Sequence, residues 1–222
     1  MIELITLIIG FGVLFYFYYR YEKRKEIINY FPKFFQEVYN NIASGMSLVE
    51  AVRKSKESNY GSLTPYIRNM CFQIEWGIPF QVAIRNFSTQ IKDSFINKVV
   101  TLTEKAFQFS PDIGKSIKEI NEYILLTKEL EKERHTEIFP QIISIYFIFF
   151  VFLFVIYILF NYFIPLLVTD ITFYENIFKH LILIEATLTG LILGKISEGS
   201  YTAGIKHLIL LGMVSIIFLL AI

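Results

Sequence analysis

Residues 128–169 read KELEKERHTE and then IFPQIISIYFIFFVFLFVIYILFNYFIPLLVT, so that a charged run changes abruptly into an uncharged one. Three other stretches, residues 4–19, 180–194 and 207–222, are nearly free of charge. A helix needs about 20 apolar residues to cross a bilayer core of about 30 Å, and somewhat fewer when flanking side chains snorkel. The pattern therefore predicts an all-α chain in which membrane helices flank a water-soluble domain.

Charge is concentrated in the middle of the chain, where residues 20–137 hold 18 of the 21 Lys and Arg residues. This distribution predicts an N-terminal anchor over residues 1–19, a helical domain over residues 20–137 and a membrane domain of about three helices over residues 138–222. The middle segment has 18 basic and 15 acidic groups, an excess of +3. So small an excess argues against nucleic acid as a partner.

The flanking charges predict the orientation in the cell membrane. The cluster Arg20–Lys25 follows the first apolar stretch, which the positive-inside tendency places in the cytoplasm together with residues 20–137. Alternation then puts Asp170 outside and the loop 195–206 inside. The chain has one cysteine, Cys71, and so no internal disulfide. We therefore expect a multi-pass protein of the cell membrane whose soluble domain is cytoplasmic.

The long apolar stretch 138–169 exceeds the thickness of a bilayer, since its 32 residues span roughly 48 Å as a helix. It must tilt, protrude or break. Pro140 is a candidate for a kink near its start, and Pro165 for a break near its end.

Turn and cap residues in the soluble domain recur about every 30 residues. We expect Pro32 to open a helix that ends at Gly45, Ser47 and Glu50 to form a capping box, and the next hairpin turn to fall at Gly77. The predicted architecture is three helical hairpins packed as a six-helix bundle.

A weak internal repeat supports the three hairpins. Gly45 corresponds to Gly77 at an offset of 32 residues and to Ser110 at a further 33. The same offsets align three surface bases, which are Arg53, Arg85 and Lys118. A turn followed by a helix also recurs by chance in α-helical proteins. A true structural repeat is therefore one of two explanations of this spacing, and it is the one we expect.

Signatures of enzymes and cofactors are missing. Gly114-Lys115-Ser116 lacks the upstream glycine of a phosphate-binding loop, because position 109 is Phe. The histidines His135, His180 and His207 are scattered, with no metal-ligand spacing. The sequence therefore predicts a protein without catalytic residues, cofactor or metal.

Two features of the apolar stretch 180–194 admit two explanations each. Glu185 is an ionisable group inside a predicted span, which suggests ion movement or a bond to a neighbouring helix. Ala186, Gly190 and Gly194 recur every four residues, a spacing that lets another helix approach closely. That helix belongs either to a larger assembly or to this chain's last span.

The charged run that precedes the long span is also open to two interpretations. Its bases are Lys128, Lys132 and Arg134, which alternate with glutamates. They form either a docking surface or a solvated helical connector held by pairs of opposite charge.

Several stretches in order resemble a known family. These are IASGMSLVEAV at 42–52, YGSLTP at 60–65, EWGIPF at 75–80, the charged run above, and GKISEGS at 194–200. Together they resemble F-type proteins of type II secretion systems, in particular the membrane platforms of archaella and archaeal type IV pili. The resemblance runs from about residue 31 to the C-terminus.

This resemblance implies a non-enzymatic platform in the lipid bilayer. Its partners would be a hexameric secretion ATPase and pilin or archaellin subunits. Archaeal platforms usually hold two bundles, and this chain has room for one, which implies a companion half or a homodimer. Candidate ATPase contacts are the exposed bases of the soluble domain, namely Arg53, Lys54, Arg68, Arg85 and Lys118.

Two other functions remain as alternatives. A small ion-coupled transporter would depend on Glu185, whereas a membrane-tethered adaptor would bind some other cytoplasmic protein through residues 20–137.

Overall fold

The computed structural model describes residues 2–167 and 172–221, and the side chains of residues 16–166 and 173–219. These residues are helical apart from short turns and contain no strand, which confirms the all-α prediction. The α-helices are α1 (Ile2–Ala43), α2 (Leu48–Lys54), α3 (Thr64–Glu75), α4 (Phe80–Ile91), α5 (Ser94–Phe109), α6 (Ile113–Ile158), α7 (Ile164–Leu167), α8 (Thr172–Glu198) and α9 (Ile205–Ala221).

The first helix corrects one prediction, because Pro32 lies inside α1 rather than at its start. A proline inside a helix removes one backbone hydrogen bond and costs about 3 kcal/mol. Tertiary packing opposes that cost here, since Phe31, Phe34 and Phe35 on either side of the proline are each at most 5% exposed. Burial of three aromatic side chains holds the helix through the proline.

The chain divides into two compact units, Glu22–Glu131 and a second made of Met1–Tyr21 with Lys132–Ile222. Both divisions fall within helices, the first in α1 and the second in α6. We call the unit Glu22–Glu131 the middle unit and the other the apolar unit. Their assignment to cytoplasm and bilayer stays a prediction.

Aromatic side chains form much of the core of the middle unit. Phe31 stacks on Phe87 with ring centroids 6.5 Å apart, and Phe34 meets Tyr60 edge-on at 5.7 Å. Around them pack buried aliphatic side chains from α2 to α6. The core is therefore continuous across the helices of this unit.

Helices α3 and α4 of the middle unit run antiparallel. Gln73 of α3 accepts a hydrogen bond from Asn86 of α4 at 2.8 Å, and Asn69 donates to Gln90 at 3.2 Å. Six α-helical segments lie in this unit, counting the ends of α1 and α6. Their closure into three hairpins of a six-helix bundle stays a prediction.

Among the described residues, three helical stretches of the chain are long and apolar enough to cross a membrane. They are Ile113–Leu166, Phe173–Glu198 and Tyr201–Leu219, with mean hydropathies of 3.0, 1.6 and 1.9 in their most apolar windows. Within the apolar unit they share a core that includes Phe149, Leu153, Ile182, Ala186 and Leu211.

The interruption predicted at Pro165 begins before that residue. Residues Leu159–Phe163 form a π-helical turn, and Pro165 lies within the short α7 that follows. A proline ring collides with the carbonyl four residues earlier, here that of Asn161, and a π-helical turn moves that carbonyl aside. Pro140 lies inside α6, which continues past it.

Two sequence predictions fall on undescribed parts of the chain. The side chains of residues 1–15 and all of residues 168–171, which include Asp170, lie outside the described residues. The N-terminal anchor over residues 1–19 therefore stays a prediction, although α1 begins at Ile2.

Candidate functional site

The candidate contact residues of the middle unit are positioned by two glycine turns. Gly45 has φ of +95° and Gly77 has φ of +87°, the left-handed region that glycine adopts without strain. After each glycine the chain returns a hydrogen bond to the helix just ended, from Met46 N to Asn41 O at 3.1 Å and from Ile78 N to Gln73 O at 3.0 Å. These turns satisfy helix-terminal carbonyls and start the next helix in a defined direction.

A capping box follows the first turn. The Ser47 hydroxyl accepts a hydrogen bond from Glu50 N at 3.3 Å, and the Glu50 carboxylate accepts one from Ser47 N at 3.2 Å. The Ser47 hydroxyl also donates to Glu50 at 2.8 Å. Hydrogen bonds from Ser47 lower the pKa of the Glu50 carboxyl. The box fixes the start of α2, the helix that carries Arg53 and Lys54.

The third turn is built differently, because Ser110 has φ of −80°. Its hydroxyl lies 2.7 Å from that of Ser116, and Asp112 Oδ1 accepts a hydrogen bond from Lys115 N at 3.0 Å. Side-chain hydrogen bonds thus cap α6 where the other two turns use glycine.

The three turns lie at one end of the middle unit. A Cβ placed on Gly114 would lie 3.9 Å from Ile42 Cγ2, which brings the first turn to the third. Phe80 and Phe107, with ring centroids 4.9 Å apart, bring the second turn to the third. The structure therefore groups the starts of α2, α4 and α6.

The three bases aligned by the repeat are all exposed but are not equivalent. Arg85 forms an ion pair with Glu104 of α5, and Lys118 Nζ lies 3.8 Å from Glu122 on its own helix. Arg53 has no ion pair among the described side chains, and the same holds for Lys54 and Arg68. A partner would meet these three bases without first breaking an ion pair.

The charged run in α6 is exposed along most of its length. Lys132 and Arg134 are exposed, whereas the Lys128 side chain is only 23% exposed and bonds to Glu131 at 2.7 Å. Lys128 is therefore occupied within its own helix, as the connector explanation expects.

The small residues of α8 pack against the chain's own last helix. A Cβ on Gly190 would lie 2.7 Å from Leu208 Cα, and one on Gly194 would lie 2.0 Å from Gly204 N. Ala186 is 3% exposed within the core of the apolar unit. The small residues thus let α8 approach α9 and the 3-10 turn Tyr201–Gly204 before it at backbone contact. Packing against a larger assembly stays a prediction.

Glu185 is half-buried on α8 and has no ion pair among the described side chains. The hydroxyl of Thr187 donates to Leu183 O of the same helix at 2.7 Å, so it does not bond Glu185. Thr189 is 8% exposed in the same helix. Within the described part of the chain, this carboxylate has no second ionisable partner.

Sequence reasoning missed three polar contacts in the apolar unit. Tyr21 donates to Glu198 at 2.5 Å, and Lys206 pairs with the same carboxylate at 2.5 Å. Tyr146 and His207 Nδ1 lie 2.5 Å apart. These contacts tie together α1, α6, α8 and α9. The partners of Tyr21 and Tyr146 are 177 and 61 residues away along the chain, so no local spacing indicates those two contacts.

No cluster of three or more His, Cys, Asp or Glu suited to a metal ion occurs among the described residues. The single cysteine, Cys71, is buried, and burial raises the pKa of its thiol to about 11. A thiol with so high a pKa is largely protonated at neutral pH and is a poor nucleophile.

Comparison with known proteins identifies the family to which this chain belongs. Residues 34–160 match the family described as type II secretion system (T2SS), protein F, and since the match covers more than half of the chain, the chain belongs to this family. The family consists of membrane platform proteins of secretion or pilus systems, and its members are not enzymes.

One similar protein is the "Uncharacterized protein MJ1286" of Methanocaldococcus jannaschii, which is 26% identical over 216 residues. The aligned region covers 95% of this chain and 36% of that protein, so this chain spans about a third of its relative. No solved structure matches the chain.

Proposed function

We propose that this chain is a non-enzymatic platform subunit that couples a hexameric secretion ATPase to the assembly of pilin or archaellin subunits. The observation that carries the proposal is the family match over residues 34–160, which covers most of the middle unit and the apolar part of α6. The nucleotide chemistry then belongs to the partner.

The proposal places the middle unit in the cytoplasm and the apolar unit in the cell membrane. The basic cluster Arg20–Lys25 and the three apolar helices support this placement. The proposal also includes a companion half or a second copy. This part of the proposal follows from the resemblance to archaeal platforms, which usually hold two such bundles.

Arg53, Lys54 and Arg68 are the foremost candidates for contact with the ATPase. All three are exposed and lack an ion pair among the described side chains. Arg85 and Lys118 rank below them, because each already pairs with a glutamate. Lys132 and Arg134 remain candidates in α6.

The test uses the full chain in lipid nanodiscs and the secretion ATPase of the same cell. We expect binding together with a change in ATP turnover. The double variant Arg53→Glu, Arg68→Glu should weaken binding at least about tenfold, because rim charges govern association through complementary potential. Lys33→Glu on α1 is the matched control, because Lys33 is also exposed, and it should bind like the unsubstituted chain.

Unchanged binding of the double variant would remove these bases from the interface. Absence of ATPase binding, also with a companion chain present, would contradict the coupling proposal. The alternatives then separate in cells, since Glu185→Gln abolishes the activity of an ion-coupled transporter but not that of an adaptor.

A further inference from the structure

Two aromatic side chains are exposed a helical turn apart, one on α3 and one on the residue that follows it. Phe72 is 47% exposed and Trp76 is 84% exposed. The buried side of the same helix is formed by Ile67, Met70 and Cys71, each at most 1% exposed. Neither exposed ring is therefore needed to fill the core.

A basic side chain lies against one of these rings, and further bases lie on α2 and α3. Lys56 Nζ lies 5.0 Å from the Phe72 ring centroid, within the range of a cation–π contact, and Arg68 precedes Phe72 by one turn of α3. The end of α2 lies beside α3, because the Cys71 thiol bonds to Val52 O at 3.3 Å. We call Arg53, Lys54, Lys56, Arg68, Phe72 and Trp76 together the Trp76 surface.

Most acidic side chains on the helices that form the Trp76 surface are already bound to another group. Of the acidic residues on α2, α3 and the 3-10 turn Ser55–Glu57, Glu50 is bound to Ser47 and Glu75 to Lys56 at 2.6 Å, which leaves Glu57. Three of the four bases have no ion pair among the described side chains. The Trp76 surface thus combines exposed aromatic area with unneutralised positive charge.

Such a surface fits a partner with an apolar pocket rimmed by carboxylates. Trp and Arg are the residues most enriched at the energetic centres of interfaces, where the aromatic ring fills a pocket. A second copy docked symmetrically would place Arg53, Lys54 and Arg68 opposite the same bases, and like charges in contact are unfavourable.

We propose that the Trp76 surface is where the secretion ATPase docks, with Trp76 inserted into an apolar pocket that acidic residues of the ATPase surround. This inference rests on the proposed function and adds the site and its chemistry. It also predicts that aromatic insertion carries more of the affinity than the surrounding charges.

The experiment exploits the fact that Trp76 is the chain's single tryptophan. The full chain, with 5-fluorotryptophan at this position, is placed in nanodiscs and titrated with unlabelled ATPase, while binding is followed separately by an interferometric sensor. We expect the ¹⁹F signal to shift in proportion to the ATPase bound. Binding without any change of the signal would overturn the proposal and leave the proposed function intact.

Variants test the two components of the surface. Trp76→Ala should raise the Kd about 30-fold, Phe72→Ala about tenfold and Arg68→Glu about tenfold, as expected for residues at an energetic centre. Phe109→Ala is the matched control, since Phe109 is 79% exposed at the end of α5, and it should leave the Kd unchanged. Equal losses of ATPase affinity in all of these variants would overturn the proposal. Circular dichroism verifies that each variant is folded.

Other occupants give different results. A ¹⁹F shift that depends on the concentration of the labelled chain alone would indicate a second copy, and a shift on adding vesicles of anionic lipid would indicate a membrane surface. Either result would overturn docking of the ATPase here. If no ATPase binding occurs by either readout, the proposed function itself fails, and this inference fails with it.

Discussion

Buried polar atoms of the middle unit are held by single, specific contacts. Tyr60 is fully buried, and its hydroxyl donates to Glu37 at 2.6 Å. Burial, together with this bond, raises the pKa of the Tyr60 hydroxyl. Cys71 is buried likewise, and its thiol bonds to Val52 O at 3.3 Å. Both groups are stable only in their protonated form, so the middle unit is sensitive to alkaline pH.

Cys71 provides the first prediction. Its pKa is about 11 in the folded state against an ordinary 9.0, because burial disfavours the thiolate. The folded state therefore holds the proton more tightly, and this contribution to stability is complete below pH 9 and is lost as the pH rises towards 11. We expect the difference in free energy of unfolding between the unsubstituted chain and Cys71→Ala to stay constant up to pH 9 and to change above it. Urea titrations at several pH values measure it, and a difference independent of pH would contradict the prediction.

Ser47 provides a second prediction. Ser47→Ala removes the hydroxyl that accepts from Glu50 N and leaves an amide of α2 without its cap. We expect a loss of about 1 kcal/mol in the free energy of unfolding, the usual cost of losing an N-cap. Ser94→Ala is the matched control, because Ser94 is exposed at the start of α5, whose cap is Asp93. Equal losses for the two variants would show that the capping box contributes nothing.

At the scale of helices, close packing of α8 on α9 organises the apolar unit. Three glycines, Gly190, Gly194 and Gly204, remove side chains where the two backbones cross. The carboxylate of Glu198 then joins the end of α8 to Lys206 of α9. Bilayer lipids are as apolar as leucine, so close van der Waals contact and polar bonds stabilise such a crossing more than hydrophobic burial does.

The crossing leads to a third prediction. A Cβ on Gly194 would lie 2.0 Å from Gly204 N, so Gly194→Ala must push the two helices apart, whereas Gly212→Ala meets nothing within 4 Å. We expect Gly194→Ala to destabilise the protein in detergent by about 2 kcal/mol or more, the cost of overpacking. Gly212→Ala should be neutral or slightly stabilising, because alanine favours the helix. Thermal unfolding measures both, and equal melting temperatures would refute the close crossing.

At the scale of the whole molecule, the chain combines two units that differ in their surfaces. The middle unit buries an aromatic core and exposes most of its charge, whereas the apolar unit exposes large apolar side chains such as Phe147, Phe154 and Ile217. An exposed apolar surface of this kind suits a lipid environment.

The sequence by itself determined the helical class, three of the apolar spans and the turns. Span length follows from bilayer thickness, and the capping box and the glycine turns involve residues only a few positions apart, so local order suffices to predict them. The Trp76 surface was not predicted, although Trp76 is visible in the sequence, because exposure depends on what packs against a residue.

Tertiary structure alone decided the remaining features. Pro32 lies within a helix because aromatic packing outweighs its local cost, and Arg85 is neutralised by Glu104, which is 19 residues away. Gly190 meets the chain's own last helix and Gly194 meets the turn before it, and Tyr21 bonds to Glu198 across 177 residues. Such outcomes depend on contacts between distant parts of the chain, whose energies no local pattern contains.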